Sequence, residues 1–268
     1  MKFTGATVHG VPDGYRASAR GGTLLVARDD AHDALAGALC SGTLHAWASH
    51  QPDACAFEGR TVAWATRLPS AGGIVVRHSR HGGLLRGITR DLFLAPSRAP
   101  RELRVALRLR AALVRTPDVI GYATYSAPGP FCRADVVTAQ IAGADLPAAW
   151  VAAAKDRSAR LGIARATGAL LSSMHSAGVV HPDLNAKNIL VARSGDEAEA
   201  WLLDVDRVRF VRPGDRRAAD MNLARLDRSL GKLRRMGAID IDAESWEALQ
   251  SVARAAAPPA TANARGAH

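Results

Sequence analysis

His181-Pro182-Asp183-Leu184-Asn185-Ala186-Lys187-Asn188, running into the strand-like Ile189-Leu190-Val191, is the stretch whose reading decides the fold. Asp183 and Asn188 stand five residues apart, and Leu202-Leu203-Asp204-Val205-Asp206 brings a second acidic site after a turn-rich connection. Phosphoryl transfer asks for a carboxylate that can take a proton and for hard oxygen ligands that hold a divalent metal against phosphates. Asp183 would accept the proton of an attacking hydroxyl. Asn188 and Asp204 would hold Mg²⁺, and Lys187 could reach the transferred phosphoryl group or a substrate carboxylate. His181 braces the loop rather than reacting. Asp206 can add charge to a metal site or cap the next turn. An Asp-x-x-x-x-Asn pair alone arises easily by chance. The specific signal is the sequence of parts: a helix ending in Met174-His175-Ser176-Ala177-Gly178, the loop, a strand, and an Asp after two apolar residues.

Upstream of this loop, Lys155 to Ala177 reads as a long helix, with Leu161, Ala164, Leu170-Leu171 and Met174 at helical spacing and Gly178 as its stop. Ala134–Ile141 reads as a strand giving way to Gly143 and Pro147, which suits a hinge whose backbone would meet an adenine. Residues 119–126 read as a further strand. Pro100-Arg101-Glu102 is a sound helix start, and Pro117 is the expected stop. Glu102 either serves the helix dipole or pairs with Arg77, as a kinase helix glutamate pairs with its strand lysine. Residues 57–78 read as a hairpin, with Arg60–Arg67 alternating polar and apolar and Ser70-Ala71-Gly72-Gly73 as the turn. Arg77 stands where a kinase strand carries its phosphate-binding lysine, although its fork differs from an ammonium. Arg77-His78-Ser79-Arg80-His81-Gly82-Gly83 is either a solvated basic turn or an anion-binding loop, Arg80 included. Gly59 alone is available to cover phosphates, because no G-x-G-x-x-G is present. Residues 1–50 read as a strand and a helix without chemistry of their own.

Composition narrows the class. The 268 residues give room for two lobes, and 48% apolar with 22% charged residues is ordinary for a globular chain. The longest apolar run, near Ala148–Ala154, falls far short of a membrane span, and the N-terminus lacks the apolar core of a secretory signal. Cys40, Cys55 and Cys132 are scattered, which suggests neither a disulfide framework nor a zinc site and points to a reducing cytoplasm. The net charge of +10 is almost all arginine, since Lys occurs only at positions 2, 155, 187 and 232. An anionic membrane face or anionic substrate would match it. Nucleic acid would not, because no basic platform interleaved with aromatics and no reading-helix spacing is present.

The Arg77–Gly83 segment, Asp183–Asn188, Leu202-Leu203-Asp204-Val205-Asp206-Arg207 and Asn222–Lys232 together resemble the lipopolysaccharide core kinases, most of all those acting on 3-deoxy-D-manno-octulosonic acid (KDO). The resemblance covers roughly residues 55–235. It implies an α+β, bilobal protein-kinase-like fold with an antiparallel-sheet N-lobe and a mainly helical C-lobe. It implies ATP and Mg²⁺, with Arg77, Glu102, Gly59 and Arg80 toward the nucleotide, Asn188 and Asp204 toward the metal, and Asp183 and Lys187 in catalysis. The acceptor would be KDO on lipid A, at the cytoplasmic face of the inner membrane, reached by a peripheral protein. Members usually carry His at the place of Lys187 and Phe at that of Val205; the first difference could shift acceptor choice. Another sugar or small-molecule hydroxyl is the nearest alternative, and a nucleotide-binding pseudokinase is the next. Only about sixteen residues separate Asp206 from Asn222, and no Ala-Pro-Glu follows, so a peptide-binding segment is not expected. The expected organisation is a strand-helix extension at 1–54, an N-lobe at 55–143, a C-lobe at 144–256 and a disordered tail at 257–268.

Overall fold

A computed structural model of the chain describes residues 4–5, 10–57, 62–79, 92–95, 97–194 and 197–255. They form two compact units, one of residues 1–107 and 117–141, the other of 108–116 and 142–268. The architecture is α+β, as the sequence implies: antiparallel sheet in the first unit, mainly helix in the second.

The first unit is built on strands β1 (Thr4–Gly5), β2 (Tyr15–Arg20), β3 (Thr23–Arg28), β4 (Cys55–Phe57), β5 (Ala63–Leu68), β6 (Gly72–His78), β7 (Phe93–Leu94), β8 (Val119–Ser126) and β9 (Phe131–Ala139). They join in the order β1-β2-β3-β8-β9-β6-β5-β4, with β7 also on β9. Alternation along each strand sends Leu25, Ala27, Ile74, Val76, Ala123 and Val137 into one core, where they meet Leu35 and Leu44 of helices α1 (His32–Ala38) and α2 (Leu44–Ser49). The segment read as lying ahead of the fold therefore supplies strands to this same sheet, since β3 pairs with β8. The β5–β6 hairpin forms as expected. Gly72 takes φ +75 at its turn, a left-handed value that glycine reaches without a Cβ clash.

Helix α3 (Ala99–Ala111) begins where the proline predicts but stops well before Pro117. Leu113 adopts φ +58, its N–H donates to the Arg110 carbonyl, and the Val114 N–H donates back to Leu109, both at 2.9 Å. This is a Schellman ending with leucine in the place glycine usually takes, so no glycine marks it in the sequence.

The second unit carries α4 (Leu146–Ala152), α5 (Arg157–Ser176), α6 (Arg216–Arg235) and α7 (Ala243–Arg254). It also has a sheet of β10 (Ala144–Asp145), β12 (Ile189–Ser194) and β13 (Glu197–Leu202), and a pair formed by β11 (Val179–Val180) and β14 (Arg209–Phe210). The long helix expected from Lys155 begins instead at Arg157. Asp156 caps it, accepting from the Ala159 N–H at 2.9 Å, after a break that follows α4. Helix α5 is the spine: Ile163 and Met174 are fully buried, and Gly168 lets α7 approach so closely that a Cβ there would lie 2.6 Å from the Leu249 carbonyl oxygen. Gly178 ends α5 region contacts with φ +65, as its sequence position suggests.

Candidate active site

The loop 181–188 hangs between β11 and β12, and its shape is set by buried polar residues. His181 is fully buried. Its Nδ1 accepts from the Asp183 N–H at 3.2 Å, while its Nε2 lies 3.1 Å from the Asp204 carbonyl oxygen and 3.3 Å from that of Leu203. This geometry fits the neutral ring with the proton on Nε2. One imidazole thus fastens the Asp183 loop to the Asp204 segment, the bracing role read from the sequence. Asn222 of α6 completes the anchor: Oδ1 accepts from the His181 N–H at 3.1 Å and Nδ2 donates to the Val179 carbonyl at 2.7 Å. Ser229, two turns on, accepts through Oγ from the Ala186 N–H at 3.1 Å.

The Asn188 side chain is oriented by its nitrogen: Nδ2 donates to the Asp183 carbonyl at 3.0 Å, which leaves Oδ1 as its remaining hard oxygen. Asn185 closes the short 3-10 turn Ala186–Asn188 by accepting from the Lys187 N–H at 2.9 Å. Beyond β12 and β13, the Leu203 N–H donates to the Asn188 carbonyl at 2.9 Å, so Asp204 begins where the ladder beside Asn188 ends. Asp204 itself adopts φ +56, ψ +51, a left-handed conformation uncommon outside glycine, and its side chain is exposed. One amide oxygen and one carboxylate suit Mg²⁺, which takes hard oxygens and keeps several positions for phosphates and water. No group of three or more His, Cys, Asp or Glu side chains suited to a metal occurs among the described residues.

Asp183 is exposed, and its Oδ2 contacts Nη1 of Arg207. The β11–β14 pairing explains the meeting: Val180 lies opposite Arg209, so the residues just beyond each strand run side by side. Lys187 is exposed on the 3-10 turn.

In the first unit, Arg77 of β6 points away from the core shared with α1 and α2 and forms an ion pair with Glu102 in the first turn of α3. Glu102 is 7% exposed, so a charge buried this far requires the partner it has. Both readings open for Glu102 are met, since it pairs with Arg77 and stands in the first turn of the helix. His78, the second residue of the basic segment, lies in a strand rather than a turn. It ends β6 and its Nδ1 lies 2.6 Å from Oδ1 of the fully buried Asp135. Asp135 Oδ2 also accepts from the His45 N–H at 2.9 Å and from the Tyr125 hydroxyl at 2.8 Å. Burial, and then the Asp135 charge, push the Tyr125 phenol far above its ordinary range and keep it a donor. Gly59 and Arg80, assigned to the nucleotide by sequence, lie outside the described residues.

The positions singled out by sequence thus form two groups: Asp183, Lys187, Asn188 and Asp204 on one loop system in the second unit, Arg77 and Glu102 in the first. Sequence reading missed Arg207, Asn222 and Ser229. All three lie in stretches that carry the family resemblance, and only the fold shows what they touch. A cavity of about 840 Å³ in the second unit, lined by Trp150, Arg160, Arg234 and Arg235 among others, includes none of the loop residues. Asp240 and Asp242 also line it, beside those arginines.

Known proteins resemble this chain along most of its length. The protein-family model described as "Lipopolysaccharide kinase (Kdo/WaaP) family" matches residues 45–252. A 3-deoxy-D-manno-octulosonic acid kinase of Pasteurella multocida (strain Pm70) is 30% identical over 198 residues, covering 72% of this chain and 80% of the relative. One from Xylella fastidiosa (strain 9a5c) is 31% identical over 211 residues, covering 76% and 80%. One from Stenotrophomonas maltophilia (strain K279a) is 35% identical over 183 residues, covering 66% and 68%. Among solved structures, "WaaP in complex with acyl carrier protein" aligns with a TM-score of 0.48 and 18% identity, over 74% of this chain and 77% of that one.

Proposed function

The chain belongs to the lipopolysaccharide kinase (Kdo/WaaP) family, and from that premise we propose that it transfers the γ-phosphate of ATP to a hydroxyl of the KDO residue on lipid A. The observation that carries this reading is the locked loop. His181 and Asn222 fix the backbone that leads into an exposed carboxylate, and the Asn188 amide nitrogen holds the Asp183 carbonyl just after it. Asp183 would hold the acceptor hydroxyl and take its proton as the new O–P bond forms and the bond to the β-phosphate oxygen breaks, releasing ADP. Asn188 and Asp204 would hold Mg²⁺, which when bound neutralises phosphate charge. Lys187 would face the phosphoryl group being transferred. In the first unit, Arg77, held in place by Glu102, would bind nucleotide phosphate through its planar fork.

The acceptor also bears on location. No helix among the described residues is long and apolar enough to cross a membrane, and the chain carries a net charge of +10. A basic surface attracted to anionic lipid, at roughly 1 kcal/mol per basic residue close to it, suits a peripheral enzyme on the cytoplasmic face of the inner membrane. One experiment tests both parts. KDO-bearing lipid A precursor is offered with ATP and Mg²⁺, in neutral detergent and in phosphatidylglycerol vesicles, and product is read by mass. A gain of one phosphate in both is expected, with a faster rate on vesicles that fades at high salt. No gain in either refutes the kinase reading; equal, salt-independent rates refute the membrane part.

A further inference from the structure

Arg207 follows the acidic segment directly, and nothing in the proposed transfer uses it. Its side chain is half-exposed, and its Nη1 contacts Oδ2 of Asp183. Among the described residues its Nε and Nη2 have no hydrogen-bond or ion-pair partner. That leaves the Nε–Nη2 edge open, which is the edge whose two parallel N–H groups match a carboxylate. Oδ1 of Asp183 has no partner among the described residues either, so it is the oxygen left to receive a hydroxyl proton.

We propose that Arg207 is the residue that binds the acceptor's own carboxylate, so that an acid sugar is recognised through the guanidinium that touches the proton-accepting aspartate. This rests on the kinase reading above and adds to it the residue that recognises the acid group of the acceptor. The two recognition events are coupled through one planar group: a carboxylate on the open edge and Asp183 on Nη1. An acceptor so held has its hydroxyl presented beside Oδ1. A neutral sugar gains nothing from that edge. Lys187 is less suited to the task, since an ammonium is a point charge with no preferred two-point geometry. The position of Arg207 is secured by the backbone rather than by chance packing. The 3-10 turn Val205–Arg207 leads straight into β14, which pairs with the strand that delivers the Asp183 loop. The Val208 N–H closes that turn on the Val205 carbonyl at 3.1 Å.

The test compares a KDO acceptor with its methyl ester, for wild type, Arg207→Ala and Arg207→Lys, by kcat/KM with ATP saturating. Wild type should prefer the acid by about 10- to 100-fold, the range of a charge-assisted contact. Arg207→Ala should bring the ratio close to one, chiefly through KM for the acid, and Arg207→Lys should recover part of it. Unchanged thermal unfolding of both variants would show that the fold is not at issue. If Arg207 only steadies Asp183, the alanine variant lowers both acceptors equally and keeps the wild-type ratio; that result overturns the inference while the kinase reading stands. A wild type that uses acid and ester alike overturns it too. A wild type that phosphorylates neither removes the kinase reading, and this inference with it.

Discussion

Asn222 does for the loop what no motif announces. It satisfies the His181 N–H and the Val179 carbonyl at once, and it is 2% exposed. Asn222→Ala leaves two backbone groups buried without partners, at about 1–3 kcal/mol for an unsatisfied group. Urea unfolding should show a loss in that range, and transfer activity should fall as well because the loop loses its anchor; a variant as stable as wild type would mean that the loop is held by other contacts. At this scale the sequence was partly legible. Asp183, Asn188 and Asp204 stand out because phosphoryl transfer restricts the residue types, and the fold brings them onto one loop system. The bracing by His181 was legible because a histidine beside an aspartate in a tight loop has few other uses. Asn222 and Arg207 were quoted without a role, since their partners lie 41 and 24 positions away and are brought close only by α6 and by the β11–β14 register.

Helix boundaries show where elements can be read from sequence and where they cannot. Four helices of the second unit start at an aspartate: Asp145, Asp156, Asp215 and Asp242 each accept the N–H three residues on, at 2.8–2.9 Å. Asp156 is a capping residue type one position ahead of the helix, although a start at Lys155 is what the sequence suggests. The end of α3 was not available, because Leu113 takes a left-handed conformation that its side chain does not advertise. Asp242 permits a sharper test. Burial raises its carboxyl, but the Ser245 N–H, the Ser245 hydroxyl and the Arg160 charge together outweigh that and hold it below the usual carboxylate range. A carboxyl lowered on folding stabilises fully above its unfolded pKa, and that contribution is lost as pH falls through the folded value. Asp242→Ala should therefore cost about 1 kcal/mol near neutral pH. The gap to wild type in a denaturant series should narrow as pH is taken below the ordinary carboxylate range. A gap that widens in acid would show that the cap is not working as an anion.

For the molecule as a whole, the antiparallel sheet of the first unit and the helical second unit are what the family resemblance implies, and the family match across residues 45–252 takes in both. What could not be read was that residues 15–28 join the central sheet, because strand partners in an antiparallel sheet are set by a core that gathers distant segments. Here the Leu25 and Ala27 face shares that core with Ile74 and Val137. The residues on which the proposed function rests are divided as well, with the Arg77–Glu102 pair in one unit and the Asp183 loop in the other. The measurement that bears most directly on the assignment of that loop is single-turnover phosphate transfer to a KDO acceptor by wild type and by Asp183→Ala, with ATP affinity and unfolding midpoint measured alongside. Loss of the proton acceptor should slow transfer by about 10²–10⁴-fold, the usual worth of a general base, while ATP affinity and midpoint stay near wild type. An Asp183→Ala protein that transfers phosphate at the wild-type rate would contradict the role of this aspartate and of the loop built around it.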